Sequence, residues 1–161
     1  MINVLYIAVG EGGSDQALIT LIKELKSKIR PYVTLGKLAS QSTINKLKSE
    51  NIPYSILNYD FFWYPSKKNL WNYITRPIYA FKLKNKKKFF TKQIIELSKQ
   101  YKIDIIHTNS SAYQFGATAA QSLKIPHIWH LREYQSLDFG HSHAYSLPYL
   151  KKQLQDRKSV V

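Results

Sequence analysis

The sequence predicts one α/β domain, in which a Rossmann-like, doubly wound parallel sheet carries helices on both faces. Short apolar segments alternate along the chain with longer segments whose apolar residues recur at helical spacing, and this alternation is typical of βαβ units with right-handed crossovers. The first apolar segment is continuous, as in a strand that is buried on both faces. Because the 161 residues contain neither an internal repeat nor a linker, we assign residues 1–161 to a single domain.

The first unit reads as strand, glycine loop and helix. Residues 3–9 (NVLYIAV) are apolar and end at the loop Gly10-Glu11-Gly12-Gly13-Ser14. Leucines and isoleucines then recur at helical spacing from residue 18 to residue 29. Ser14 or Asp15 stands where the side chain of an N-cap residue would accept a hydrogen bond from the first turn. The sequence therefore predicts a helix that begins directly after the glycine loop.

The later elements continue the alternation. Strands are predicted over residues 31–35, 53–57, 103–108 and 127–131, and helices over 40–49, about 70–101, 112–123 and 147–155. Pro77 is expected to interrupt the long helix. The second part of that helix carries one apolar stripe, which consists of Phe90, Ile94, Leu97 and Tyr101. The aromatic segment 59–65 fits neither periodicity.

Charge is unevenly distributed in this chain. Lys and Arg number 24 against 10 Asp and Glu, which gives a net charge of +14 and favours an anionic partner such as a membrane, a nucleic acid or a phosphorylated substrate. Six lysines crowd one segment: Lys82, Lys84, Lys86, Lys87, Lys88 and Lys92. This cluster is either a contact surface or a solvated helix face. It does not interleave with an aromatic stacking platform, and we therefore expect no nucleic acid as partner.

Composition also bears on the compartment. No apolar run approaches the roughly 20 residues that span a bilayer, and the amino terminus lacks the basic segment and cleavage site of a signal peptide. Cysteine is absent, so the chain has neither disulfides nor thiolate chemistry. We expect a cytoplasmic protein that contacts the inner face of the membrane peripherally.

Candidate site residues follow three predicted strands. Gly12, Gly13 and Ser14 follow the first strand, Asn109 and Ser110 the fourth, and His130, Arg132 and Glu133 the fifth. In an open α/β sheet the carboxyl ends of the strands meet at one edge, where ligands bind. Free N–H groups at a helix N-terminus favour a phosphate. Each group also has a purely structural interpretation. The glycines fit a tight turn between strand and helix, and Asn109 and Ser110 fit a cap of the following helix. His130 fits a structural histidine beside an Arg132–Glu133 ion pair.

Several chemistries are excluded by motif. In the dinucleotide pattern G-x-G-x-x-G the third glycine would fall on Asp15, and neither the P-loop nor the G-x-S-x-G pattern occurs. His141 and His143 lack a third ligand at a recognisable spacing, so we expect no metal site.

Three segments together resemble the amino-terminal domain of GT-B glycosyltransferases, in particular the retaining enzymes of family four. The first is Val4-Leu5-Tyr6-Ile7 leading into Gly12-Gly13-Ser14. The second is Ile105-Ile106-His107-Thr108-Asn109-Ser110 before an alanine-rich helix. The third is Ile125-Pro126-His127-Ile128-Trp129-His130-Leu131-Arg132-Glu133. Their order and spacing cover nearly the whole chain.

The resemblance implies an acceptor-side domain that faces a donor-binding domain across a cleft. By this resemblance, the backbone at Gly12 and Gly13 approaches the donor phosphates, with Ser14 beside them, and His130 lies beside the transferred sugar as the candidate catalytic residue. Arg132 and Glu133 line the acceptor side, and we assign Asn109 and Ser110 to the same side or to the cleft lining. It implies a nucleotide-sugar as co-substrate, no metal, and a polysaccharide, glycolipid or other cell-envelope acceptor. It also implies that Lys84, Lys86, Lys87 and Lys88 contact anionic lipid. Trp63, Tyr64 and Trp71 then lie either at the membrane interface or in the protein core.

The resemblance ends before the donor side. The acidic donor-side segment of the family and its Arg-Lys diphosphate clamp have no counterpart after His143. We therefore expect the isolated domain to be inactive, and to need a carboxyl-terminal donor domain in cis or a partner chain in trans. The alternative is a sugar- or phosphate-binding module, or the partner subunit of a split glycosyltransferase.

Overall fold

A computed structural model of the chain describes residues 1–60, 62–64, 74–110, 112–131 and 142–143. The strands are β1 (Ile2–Ala8), β2 (Ile29–Leu35), β3 (Tyr54–Ile56), β4 (Trp63–Tyr64), β5 (Ile105–Thr108), β6 (His127–Trp129) and β7 (Ser142–His143). The helices are α1 (Gly13–Leu25), α2 (Gln41–Ser49), α3 (Arg76–Gln100) and α4 (Gln114–Leu123).

Five parallel strands form the main sheet in the order β3-β2-β1-β5-β6. The central strand β1 pairs along its whole length with β2, from Ile2 opposite Ile29 to Ala8 opposite Leu35. The chain proceeds outward from β1 to β3 and then returns to the other side of β1, where it adds β5 and β6. The direction in which successive strands are added to the sheet therefore reverses between β1 and β5, which is the switch point of the sheet. The predicted Rossmann-like, doubly wound sheet is confirmed.

Successive residues of β1 point to two separate hydrophobic cores. Val4, Tyr6 and Ala8 pack in one core with apolar residues of α1 and α2. Leu5, Ile7 and Val9 pack in the other with apolar residues of α3 and α4. This two-sided burial explains why the first strand reads as a continuous apolar run. It also confirms the prediction of helices on both faces of the sheet.

The aromatic segment that fits neither periodicity belongs to the core on the α3 side. Tyr59 and Phe62 are buried there, and their rings contact Phe90 of α3 at centroid distances of 5.8 and 6.3 Å. The Tyr59 hydroxyl lies 2.6 Å from the carbonyl oxygen of Ala8 and 2.7 Å from that of Thr34. Burial raises the pKa of Tyr59, so the hydroxyl keeps the proton that it donates. This residue joins the carboxyl ends of β1 and β2.

One predicted boundary is confirmed and another is wrong. The long helical stretch is interrupted beside Pro77: Ile74 is helical, Thr75 forms a turn, and α3 begins at Arg76 with Pro77 in its first turn. Proline suits this position because the N–H groups of a first turn have no partner within the helix. The N-cap of α1 is Gly12, which makes no side-chain cap bond, and neither Ser14 nor Asp15 caps the helix. By contrast, Ser40 caps α2, since its Oγ accepts a hydrogen bond from the N–H of Thr43 at 3.2 Å.

One strand pair was not predicted, and several predictions concern residues outside the described ranges. The antiparallel pair of β4 and β7 was not predicted, because two-residue strands carry no periodicity. The predicted helix over 147–155, the start of the long helix before residue 74, Trp71 and His141 lie outside the described residues, as do the side chains of Trp63, Tyr64 and His143. Within the part of the chain that is described, no helix is both long and apolar enough to cross a bilayer.

Candidate functional site

The loop after β1 is anchored at Gly10. Its N–H donates to the Asp15 carboxylate at 2.7 Å, and its carbonyl accepts from the N–H of Ser40 at 2.7 Å. Gly10 has a φ of +98°, and a Cβ there would lie 2.6 Å from Cα of Ala39. Both the backbone conformation and the contact with the loop after β2 therefore require glycine.

The tip of the same loop is open. Gly12 and Gly13 are exposed, and a Cβ at either position would meet no atom within 4 Å. Gly12 has φ +90° and ψ −176°, a conformation that is essentially restricted to glycine. Since α1 begins at Gly13, the unpaired N–H groups of its first turn lie beside an unobstructed backbone. Such a helix start suits an anion.

Asp15 has a role that the sequence analysis missed. Its side chain is only 1% exposed, and the carboxylate points back under the loop to Gly10 rather than to the helix start. Burial raises the pKa of this carboxyl, although hydrogen bonds from the backbone of Gly10, Glu11 and Val9 and from the Asn109 side chain act in the opposite direction. An acid one residue past such a loop has the sequence pattern of a cap, so only the fold reveals this contact.

Asn109 joins the loop after β5 to the start of α1. Its Nδ2 lies 3.2 Å from the carbonyl oxygen of Ser14 and 3.4 Å from Asp15 Oδ1, and its own N–H donates to the carbonyl of Ile7 at 2.9 Å. Ser110 Oγ accepts from the N–H of Ala112. The N-cap of α4 is Tyr113, without a side-chain cap bond, so neither Asn109 nor Ser110 is the cap of that helix. Instead, the fold brings Asn109 to Ser14, as the sheet edge predicted.

His130 comes directly after β6 and is held against β5. Its N–H donates to the carbonyl of Thr108 at 2.9 Å, and its ring stacks on His107 with centroids 5.8 Å apart and an interplanar angle of 14°. The neighbouring Trp129 donates its indole N–H to the carbonyl of Ser110 at 2.8 Å. The half-buried His130 ring is therefore fixed at the carboxyl edge of the sheet. β6 ends at Trp129, earlier than predicted, and Arg132 and Glu133 lie outside the described residues.

The switch point of the sheet thus combines an open glycine loop, a buried carboxylate, an amide and a histidine. Among the described residues, no three His, Asp or Glu side chains come together in a way that could hold a metal ion. What these groups can do chemically is to present N–H donors to an anion and an imidazole to a polar group.

Comparisons with known proteins agree on the fold. No protein-family model and no curated protein matches the sequence. The chain is similar to the spinosyn rhamnosyltransferase SpnG complexed with thymidine diphosphate (TM-score 0.58, 10% identity, 86% of this chain). It is also similar to a glycosyltransferase from Rickettsia africae (0.52, 20%, 80%) and to HepE of Anabaena in complex with UDP and glucose (0.51, 19%, 80%).

These likenesses concern only part of each solved protein. The chain spans 37% of the length of SpnG and 29% of the length of the other two. At identities this low they show the fold, which is a Rossmann-like domain of the kind found in solved glycosyltransferases.

Proposed function

We propose that this chain is the acceptor-side domain of a glycosyltransferase, which transfers a sugar from a nucleotide-sugar to a polysaccharide, glycolipid or other cell-envelope acceptor. The observation that carries the proposal is the contact of Asn109 with Ser14, which joins the open glycine loop to the loop after β5 at the switch point of the sheet. Ligands of open α/β sheets bind at such a point. The fold shared with solved glycosyltransferases supports the same proposal.

In this proposal each group has a stated task. The N–H groups at Gly12 and Gly13 and the dipole of α1 stabilise the negative charge of the departing diphosphate, with Ser14 beside them. His130 contacts the transferred sugar, and Arg132 and Glu133 line the acceptor side. Asn109 and Ser110 were also predicted to line the cleft, but both are fully buried, so they support the site from beneath instead. We expect no metal, because helix dipole and basic side chains stabilise the leaving group. The finer assignment, a retaining enzyme of family four, rests on the three sequence segments.

The isolated domain is expected to be inactive, because the stabilisation of a leaving diphosphate needs groups on both sides of a cleft. The donor-binding domain would act in cis or as a partner chain. Calorimetric titration of the chain with UDP- and GDP-sugars tests this arrangement: at most weak binding is expected. Tight binding would favour the alternative, a self-sufficient sugar- or phosphate-binding module.

We further propose a cytoplasmic location with peripheral contact to the membrane through the outer face of α3. Leu83, Phe90 and Ile94 face the core, whereas large apolar side chains stay exposed on this helix and just before it: Ile74, Ile78, Tyr79, Phe81 and Phe89. Phe81 is 67% exposed. No Asp or Glu occurs between residues 74 and 92. Exposed apolar and cationic side chains on one helix are typical of segments that lie in the membrane interface.

The four lysines that the sequence analysis singled out differ in their exposure. Lys84, Lys86 and Lys88 are exposed, whereas Lys87 is half-buried. Each lysine near an anionic surface contributes about 1 kcal/mol of attraction. Aliphatic Ile74 and Ile78 cannot stack on bases, so the apolar part of this face suits lipid better than nucleic acid.

Vesicle co-sedimentation tests the membrane contact. We expect the chain to bind vesicles that contain phosphatidylglycerol, and the triple variant Lys84→Gln, Lys86→Gln, Lys88→Gln to bind them at least tenfold more weakly, since about 3 kcal/mol of attraction is removed. The matched control, Lys28→Gln, Lys48→Gln, Lys124→Gln, removes the same charge from exposed positions elsewhere. Vesicle binding that does not depend on anionic lipid, or an equal loss of binding in both variants, would contradict the proposal. Binding to RNA instead of vesicles would identify a different partner.

A further inference from the structure

The buried carboxylate of Asp15 connects loops that come from different parts of the chain. Oδ2 accepts from the N–H of Gly10 in the loop after β1, and Oδ1 lies 3.4 Å from Nδ2 of Asn109 in the loop after β5. The same Asn109 amide also reaches the Ser14 carbonyl, at 3.2 Å. Both loops therefore end on one carboxylate–amide pair.

A third loop is tied to the same point through Gly10. The Gly10 carbonyl accepts from the N–H of Ser40, the residue that caps α2, and Gly10 packs directly on Ala39. The backbone of Glu11 also hydrogen-bonds to the Asp15 carboxylate, and the exposed glycine tip Gly12-Gly13 lies between these anchors and Ser14. The position of the glycine tip is therefore determined by its two ends, Gly10 and Ser14.

The carboxylate is shielded from the bulk water that would otherwise compete with these partners. Asp15 is 1% exposed, and among the described residues no ion pair includes it. A buried charge without its hydrogen bonds is costly, and hydrogen bonds to an ionised acceptor are stronger than neutral ones. If the charge of Asp15 or one of its hydrogen-bond donors is removed, bulk water does not readily take the place of the lost partner. The two loops should therefore become more mobile.

We propose that Asp15 is a positioning residue, which orders the glycine loop and the loop after β5 together so that both present their polar groups in one arrangement. The ordering follows from the contacts alone. That it serves donor and acceptor binding rests on the proposed function. Asp15 itself does not touch the ligand in this proposal, because its carboxylate lies beneath the loop.

Hydrogen–deuterium exchange of the 161-residue chain tests the proposal without any nucleotide. Asp15→Asn keeps the side-chain shape but removes the charge and replaces one of the two acceptor oxygens by an NH₂ group, so Gly10 and Asn109 cannot both keep their acceptor and the remaining bond loses its charge assistance. We expect amide exchange to become at least tenfold faster in both loops. Asn109→Ala should likewise speed exchange at Gly10 and Gly12, because the Asn109 amide contacts both the Asp15 carboxylate and the Ser14 carbonyl.

Ile94→Val provides the comparison, because it weakens the core beneath α3 without touching either loop. When Ile94→Val and Asp15→Asn lower the free energy of unfolding equally, amide exchange in Ile94→Val should not rise preferentially in the two loops. The proposal is overturned if Asp15→Asn loosens only one loop, if Asn109→Ala leaves the glycine loop unchanged, or if Ile94→Val reproduces the same pattern. Because no ligand is used, these outcomes are independent of whether the chain binds nucleotide-sugars.

Discussion

Replacement of His130 by Ala is expected to lower sugar transfer by about 10²–10⁴-fold in the proposed two-domain enzyme, which is the range for removal of a positioned polar or acid–base group. The fold should survive. The backbone N–H of His130 still donates to the Thr108 carbonyl, and the ring is only half-buried. What is lost is an imidazole that stacks on His107 at the carboxyl edge of the sheet.

The control for this substitution is the next residue. Leu131 is exposed, so Leu131→Ala changes the same segment without removing a polar group and should leave turnover within about a factor of two. Steady-state turnover and thermal unfolding of both variants separate chemistry from stability. Unchanged turnover in His130→Ala would remove the residue from the proposed site.

Gly116→Ala is expected to destabilise the chain by about 1–3 kcal/mol or more, the range for overpacking a closed core. A Cβ at this position of α4 would overlap Thr108 Oγ1 and lie 2.6 Å from Cδ1 of Ile7. The Thr108 hydroxyl is itself hydrogen-bonded to Nε2 of His127 at 2.9 Å, so it cannot rotate away without breaking that bond. α4 would have to move off the sheet.

Gly13→Ala serves as the matched substitution. It is also a helical glycine, but a Cβ there meets nothing within 4 Å, so its stability should stay level or rise slightly as the unfolded chain loses freedom. Urea unfolding of both variants measures the difference. Equal stability of the two would mean that α4 does not pack against β1 and β5 as described.

The architecture was predictable because it depends on local patterns. β1 is buried on both faces and therefore reads as one apolar run, and α1 and α2 have one buried face each, which sets their helical spacing. Those signals require no knowledge of distant residues. The N-cap of α1 was misjudged, since Gly12 and not Ser14 or Asp15 holds that position, because a boundary is less clearly encoded than a period.

The site was only partly predictable, because its contacts join residues that are far apart in the chain. That Ser14 and Asn109 meet follows from the topology of a parallel sheet, and the sequence analysis placed them at one edge. The contact of Asp15 with Gly10 and Asn109 does not follow, since the same residue in the same position also fits a helix cap. Tyr59 is a similar case: its hydroxyl joins two strands from a loop without periodicity.

The most direct test of the central claim is nucleotide-sugar turnover, measured as both hydrolysis and transfer, with UDP- and GDP-sugars. It compares the 161-residue chain alone with the same chain combined with its donor-binding counterpart, joined in cis or added in trans. The account predicts no turnover by the chain alone and clear turnover by the combination, which His130→Ala then lowers. Turnover by the chain alone would mean that these residues build a complete active site, and would contradict the assignment as one half of a two-domain enzyme.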